Sequence, residues 1–214
     1  MTQVKICGLT RPRDVDLACS LGASYVGFNF AAVSPRRVSL EAARDLARVT
    51  GPGVARVGVF VREGRNEIED AIDGASLDCV QIHRRLSAED VEWMRRPVIA
   101  VERVSSRGVE SSPAGLLEKC RSVLLDTSSD RPGGTGIPFD WDLLAGRTWP
   151  VPLILAGGLD AGNVGGAIAR VRPSAVDVAS GVESAPGIKD EHRMKEFFEA
   201  VRKADALVEA ELSP

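Results

Sequence analysis

Val4-Lys5-Ile6-Cys7, then Asp14-Val15-Asp16-Leu17-Ala18-Cys19, then Ala23 to Phe30: this opening stretch decides the fold. It reads as a short apolar strand, a helical segment, and a second strand in which Val26, Phe28 and Phe30 alternate with small or polar residues. Two strands joined through a helix run parallel, because a parallel pair needs a crossover connection. The same unit recurs outward along the chain. Further strands are expected at Val54 to Val61, Asp78 to His83, Pro97 to Val101, Ser122 to Asp126, Pro152 to Leu155 and Ala175 to Ala179. Helices are expected between them: one capped by Ser39 with Ala42, Ala43, Leu46 and Ala47, and one from Glu67 to Ala75. A third is capped by Ser87, a fourth carries Leu116, Leu117 and Cys120, and a short one covers Phe139 to Leu144. The next starts near Asp160 or Ala161, and the last runs from Asp190 onward. Eight strands in alternation with helices predict a closed, eight-stranded parallel (β/α)8 TIM barrel. It is a single domain over residues 1–205, followed by a polar tail at 206–214 that ends in disorder.

Composition excludes several classes. With 214 residues and 44% hydrophobic content the chain can bury a sizeable core. Lys and Arg number 27 against 30 Asp and Glu, a net charge of −3, which argues against a nucleic-acid or membrane-surface binder. The apolar run Val151 to Leu159 is too short and too rich in Pro and Gly to span a bilayer, so no membrane partner is expected. Cys7, Cys19, Cys79 and Cys120 have no CxxC spacing, and His83 and His192 are the only histidines. Neither a Cys/His metal site nor a disulfide framework is expected, and the thiols read as reduced, in a cytoplasmic protein. The start at Met1-Thr2-Gln3-Val4-Lys5 reaches a strand at once and carries no signal-peptide pattern.

A barrel of this kind places its chemistry on the loops after the strands' C-terminal ends. Those ends are Cys7-Gly8, the loop Ser34-Pro35-Arg36-Arg37, His83, Asp126, Gly157-Gly158 and Ser180-Gly181. The last two are glycine turns before helical segments, where backbone N–H groups attract an anion, so a phosphate site is expected there. Gly133-Gly134-Thr135-Gly136 is either a closing lid or a flexible linker. Arg36 could hold a carboxylate side by side or simply be solvated. Cys7 is either a base or a small buried hydrophobe, whereas Cys19, Cys79 and Cys120 fit the second role. Asp126 ends the apolar run Val123-Leu124-Leu125, where a carboxylate is costly unless paired or opened to a site. Cys7 and Asp126 could therefore act as base and acid on one substrate, with His83 a donor or an alternative base.

Lys5-Ile6-Cys7-Gly8-Leu9-Thr10 resembles the opening motif of the phosphoribosylanthranilate isomerase family. The likeness continues through Gly27-Phe28, Ser34-Pro35-Arg36-Arg37-Val38, Arg56 to Val61 and Val80-Gln81-Ile82-His83. It extends through Leu124-Leu125-Asp126-Thr127, Gly133 to Gly136, Gly157-Gly158-Leu159, Val176 to Glu183 and Pro186-Gly187-Ile188-Lys189-Asp190. The resemblance implies an Amadori rearrangement of N-(5-phosphoribosyl)anthranilate to 1-(o-carboxyphenylamino)-1-deoxyribulose 5-phosphate, a step of tryptophan biosynthesis. It implies no metal and no organic cofactor. Asp126 is then the general acid that opens the sugar ring and Cys7 the general base at C2′. Arg36, His83, Gln81, Gly134 and Thr135 are implied to bind the substrate, a phosphorylated small molecule with a carboxylate. Gly157, Gly158, Ser180 and Gly181 are implied to hold the phosphate. A thiol acting as base suggests a pKa lowered by the cationic cluster nearby. The assembly implied is a monomer or a homodimer.

Three positions depart from the family pattern: Arg84 where a glycine is usual, Ala100 where a lysine is usual, and the small apolar loop Ala31-Ala32-Val33. A cation moved from strand five to the loop after strand four would connect the first two. On that ground two other readings stand beside the first. One is a paralogous isomerase acting on a different amino-substituted ribose phosphate, and the other a non-catalytic phosphate-binding barrel.

Overall fold

The computed structural model describes residues 1–105, 108–110, 112, 115–127, 141–144 and 147–212. Eight parallel strands form the sheet: β1 (Gln3–Cys7), β2 (Tyr25–Asn29), β3 (Ala55–Phe60), β4 (Cys79–Ile82), β5 (Val98–Ser105), β6 (Ser122–Thr127), β7 (Leu153–Leu155) and β8 (Ala175–Val178). Each pairs with its neighbours in sequence, β1 also pairs with β8, and β4 with β5, so the sheet closes into the expected barrel. Among the described residues six α-helices accompany them: α1 (Pro12–Leu21), α2 (Leu40–Arg48), α3 (Arg65–Gly74), α4 (Ala88–Trp93), α5 (Val164–Val171) and α6 (Glu191–Leu212).

The helix signals work locally as their chemistry requires. Ser39 accepts the backbone N–H of Ala42, and Ser87 that of Asp90, whose carboxylate reaches back to the Ser87 N–H. Two apolar layers result from strand alternation. Val4, Ile6, Val26, Phe28, Val80 and Ile82 face outward onto the helices, while Tyr25, Val57, Cys79, Ile99, Leu124 and Ile154 fill the barrel.

Three expectations are corrected. The helix expected at Leu116, Leu117 and Cys120 is a single 3-10 turn, Leu117–Lys119, and a short strand Gly108–Glu110 folds back antiparallel on β5. Strand β5 runs on to Ser105, and glycines with left-handed backbone at 108 and 115 bend the segment where a helix would have to start. The helix expected from Asp160 or Ala161 begins at Val164, because the Asp160 carboxylate first takes the N–H groups of Gly162 and Asn163 in a turn. The polar tail at 206–214 is helical through Leu212, since α6 runs on past Ala206 without a break. Ala204 and Val208 pack on the core, and Asp205 accepts from the N–H and hydroxyl of Thr2 at 2.7 and 2.6 Å, tying the helix to the start of β1.

Candidate active site

The strands' C-terminal ends meet at one mouth. Cys7 ends β1, and the N–H groups of Gly8 and Leu9 both donate to the Gly27 carbonyl, which fixes the tip of β1 against β2. Gly27 has no room for a side chain: a Cβ there would lie 2.9 Å from the Cys7 Sγ and 3.3 Å from the Lys5 Nζ. Lys5 and Cys7 thus share one small space inside the barrel. Lys5 is fully buried and donates to both Asp177 oxygens at 3.0 Å, from β1 to its register partner on β8. Burial pulls the Lys5 pKa down, but Asp177 and Cys7 together raise it above the ordinary lysine value.

Around Cys7 the charge is arranged differently from expectation. Arg36 is bound to Glu183, with Nε at 2.9 Å from Oε1 and Nη2 at 2.7 Å from Oε2. Glu183 also accepts from the N–H of Gly187 and from the ammonium of Lys189. Lys189 donates at 2.6 Å to the Cys7 carbonyl, 2.9 Å to the Ala179 carbonyl and 2.8 Å to Glu183, so it pins the end of β1 to the loop after β8. The thiol itself is not depressed. Burial pushes the Cys7 pKa up and outweighs the lowering by Lys5 and Lys189. The arginine charge that was expected to lower it is already bound to a carboxylate.

On the opposite side, Asp126 is the penultimate residue of β6 and half-buried, with Arg103 of β5 as its register partner. Arg103 follows Ile99 and Val101 on the inward face of β5, and its charge acts on His83. Burial, Lys5 and Arg103 bring the His83 pKa down to about 4, so the imidazole is neutral near pH 7. Its Nε2 lies 2.7 Å from Nε2 of the buried Gln81 amide, which therefore donates to it. The Gln81 Oε1 is buried and has no hydrogen-bond partner among the described residues.

The two late glycine turns are in contact. A Cβ on Gly181 would lie 2.0 Å from the Leu159 carbonyl oxygen, so only glycine lets the loop after β8 close on the loop after β7. Gly157 and Gly158 both have left-handed backbone, and Ser180 opens a 3-10 turn. Gly134 and Thr135 lie outside the described residues.

Two of the departures, Arg84 and Ala31-Ala32-Val33, lie in loops that follow strand C-terminal ends. Arg84 is bound through both terminal nitrogens to Asp90 at the start of α4, so it adds no loose cation to the pocket. Ala100 faces outward into the core between barrel and helices. The expected transfer of a cation from strand five to the loop after strand four therefore does not occur. Ala31 is buried, Val33 is exposed, and the loop's Ala32 N–H is held by Glu63.

Sequence reasoning missed Lys5, Asp177, Glu183 and Lys189. The signal was present for two of them: Lys5 sits between Val4 and Ile6, and Asp177 between Val176 and Val178. A charge in an apolar strand demands a partner for the same reason that drew attention to Asp126.

Fold and mouth together define the class: a (β/α)8-barrel enzyme, with a thiol and a carboxyl group at the C-terminal ends of its strands. Residues 4–200 match the family model for N-(5′-phosphoribosyl)anthranilate isomerase, and the chain belongs to that family. The N-(5′-phosphoribosyl)anthranilate isomerase of Pseudomonas aeruginosa (strain LESB58) is 42% identical over 201 residues, covering 94% of this chain and 95% of that one. The crystal structure of the Thermotoga maritima enzyme superposes with a TM-score of 0.84 at 38% identity, covering 95% and 100% of the two chains. A phosphoribosylanthranilate isomerase solved with reduced 1-(o-carboxyphenylamino)-1-deoxyribulose 5-phosphate gives 0.80 at 36% identity, covering the same shares.

Proposed function

We propose that this chain is a phosphoribosylanthranilate isomerase, an aldose–ketose isomerase of tryptophan biosynthesis. It converts N-(5-phosphoribosyl)anthranilate to 1-(o-carboxyphenylamino)-1-deoxyribulose 5-phosphate. The observation that carries the reading is the family match over residues 4–200 together with Cys7 and Asp126 at the barrel mouth, at the ends of β1 and β6.

The rearrangement needs one acid and one base. The Asp126 carboxyl gives its proton to the furanose ring oxygen, and the C1′–O bond breaks to leave a Schiff base. The Cys7 thiolate takes the proton from C2′, giving the enolamine. C1′ then gains a proton and the C2′ hydroxyl loses one, so C2′ becomes the ketone and no proton is consumed overall. The oxidation of C2′ is matched by reduction at C1′, so the reaction draws on no external oxidant.

Arg36 fits the anthranilate carboxylate through a division of its guanidinium. Glu183 occupies the Nε/Nη2 edge, and the Nη1/Nη2 edge is the one offered to a ligand. The joined glycine turns fit the phosphate. The reading of a different amino-substituted ribose phosphate loses its motive, since Arg84 pairs with Asp90 and Ala100 faces the outer core.

The test is a fluorescence assay with phosphoribosylanthranilate generated in situ, following loss of the anthranilate emission. Turnover is expected, with Asp126→Asn abolishing it and Cys7→Ser cutting kcat by at least about 10²-fold. Near-wild-type rates in either variant would remove that residue from its role. Absence of turnover in folded wild-type protein would overturn the function.

A further inference from the structure

The barrel interior holds an ion pair where packing alone calls for apolar side chains. Below it the barrel is filled by Val57, Ile99, Leu124 and Ile154, as such interiors usually are. A buried ion pair is often no more stabilising than hydrophobic residues of the same volume, so Lys5 and Asp177 are not explained by stability. Lys5 lies two residues before Cys7 on the same inward face of β1, and the shared space against Gly27 puts the ammonium beside the sulfur.

We propose that Lys5, anchored by Asp177, is a positioning residue whose ammonium is the counter-ion of Cys7 when that side chain carries negative charge. The inference rests on the reading of Cys7 as the base. It follows from how the surrounding charges are used. Among the described residues, the charged groups acting on Cys7 include Lys5, Asp177, Lys189 and Arg36. Lys189 has three acceptors for its three protons, and Arg36 is held on Glu183. Lys5 has Asp177 as its anchor through two of its three protons and keeps one for the sulfur, on which its charge acts to lower the pKa. Asp177 in turn keeps Lys5 charged despite full burial. His83, which also feels Lys5, is neutral and does not compete as a cation.

The experiment measures alkylation of Cys7 by iodoacetamide against pH, read by peptide mass spectrometry so that Cys19, Cys79 and Cys120 are counted separately. It compares wild type with Lys5→Met and with Lys5→Met/Asp177→Asn, the second variant removing both charges so that no carboxylate is left buried alone. The expected result is an apparent Cys7 pKa raised by a unit or more. At pH 8 this reads as alkylation slowed about tenfold or more. In turnover, kcat/KM falls about as much, and the alkaline limb of its pH profile moves to higher pH, which a merely structural role would not do. An unchanged alkylation profile in the folded double variant overturns the proposal. This outcome is distinct from failure of the base reading, in which Cys7→Ser stays active whatever the alkylation profiles do.

Discussion

Arg36 and Glu183 come from the loop after β2 and the turn after β8, and they meet edge to edge through Nε and Nη2, with Nη2 2.7 Å from Oε2. A protein carboxylate thus holds one edge of the guanidinium and aims the other. Glu183→Gln is expected to loosen Arg36 and raise KM for phosphoribosylanthranilate with little change in kcat. Arg36→Ala should raise KM more than tenfold, given about 1.5–3 kcal/mol for hydrogen bonds to charged groups. An analogue lacking the anthranilate carboxylate should lose less; equal losses on both ligands would make Arg36 structural.

Glu183 also neutralises the fully buried Lys189. Removing one partner of a buried pair leaves an uncompensated charge, at a cost of about 3–5 kcal/mol. Glu183→Ala should therefore lower the urea midpoint strongly. Glu183→Ala/Lys189→Met should recover part of the loss, and no recovery would mean that the two charges are independent.

His83 gives a stability prediction with a definite sign. Its folded pKa of about 4 lies below the ordinary value of 6.5. Between those values the unfolded chain binds the proton and the folded protein does not, so stability is lost as pH falls from about 6.5 toward 4. Urea melts at pH 7, 5.5 and 4.5 should show a decline that is smaller in His83→Gln. An NMR titration giving the imidazole a midpoint near 6.5 would contradict the burial of its neutral form.

The barrel was legible because its apolar strand runs and helix caps are local signals. Ser39 and Ser87 cap the helices they precede, and every expected strand is found. The helix at Leu116–Cys120 was misread because two leucines and a cysteine mimic a helical face, while the glycines around them govern the backbone. The strand-end rule put Cys7, Asp126, His83 and the glycine turns at the mouth, and that is where they lie. The Lys5–Asp177 and Glu183–Lys189 pairs were not legible, because their partners are fixed by barrel closure and by the antiparallel pairing of Glu183–Ala185 with Ile188–Lys189. The direction of the Cys7 shift depends on burial and on Arg36 being bound to Glu183, which sequence does not state.

The contact between the two glycine turns predicts a site-specific defect. Gly181→Ala forces a Cβ to within 2.0 Å of the Leu159 carbonyl, so the loops must part. KM should rise about tenfold or more, since a displacement near 1 Å can cost ~10²-fold, and inhibition by inorganic phosphate should weaken in parallel. Gly165→Ala in α5 is the control, because its nearest contact is Ala204 at 3.8 Å. That variant should be stabilised by up to about 1 kcal/mol through helix propensity. Unaltered phosphate inhibition in Gly181→Ala would remove these turns from the phosphate site.

The pH dependence of turnover follows from the need for one proton on the acid–base pair. Catalysis requires Asp126 protonated and Cys7 ionised, a form carrying the same number of protons as the one with ionised Asp126 and neutral Cys7. Its population is therefore constant between the two pKa values and falls outside them. The alkaline limb of kcat/KM belongs to Cys7, and burial holds that thiol above its ordinary value. The profile should stay flat through about pH 8.5, the ordinary thiol value, and fall only beyond it. Gly27→Ala, whose Cβ would press on Cys7 Sγ and Lys5 Nζ, should lower the plateau and shift that limb. A limb centred below about pH 8 would mean that the thiol ionises more easily than its buried setting allows.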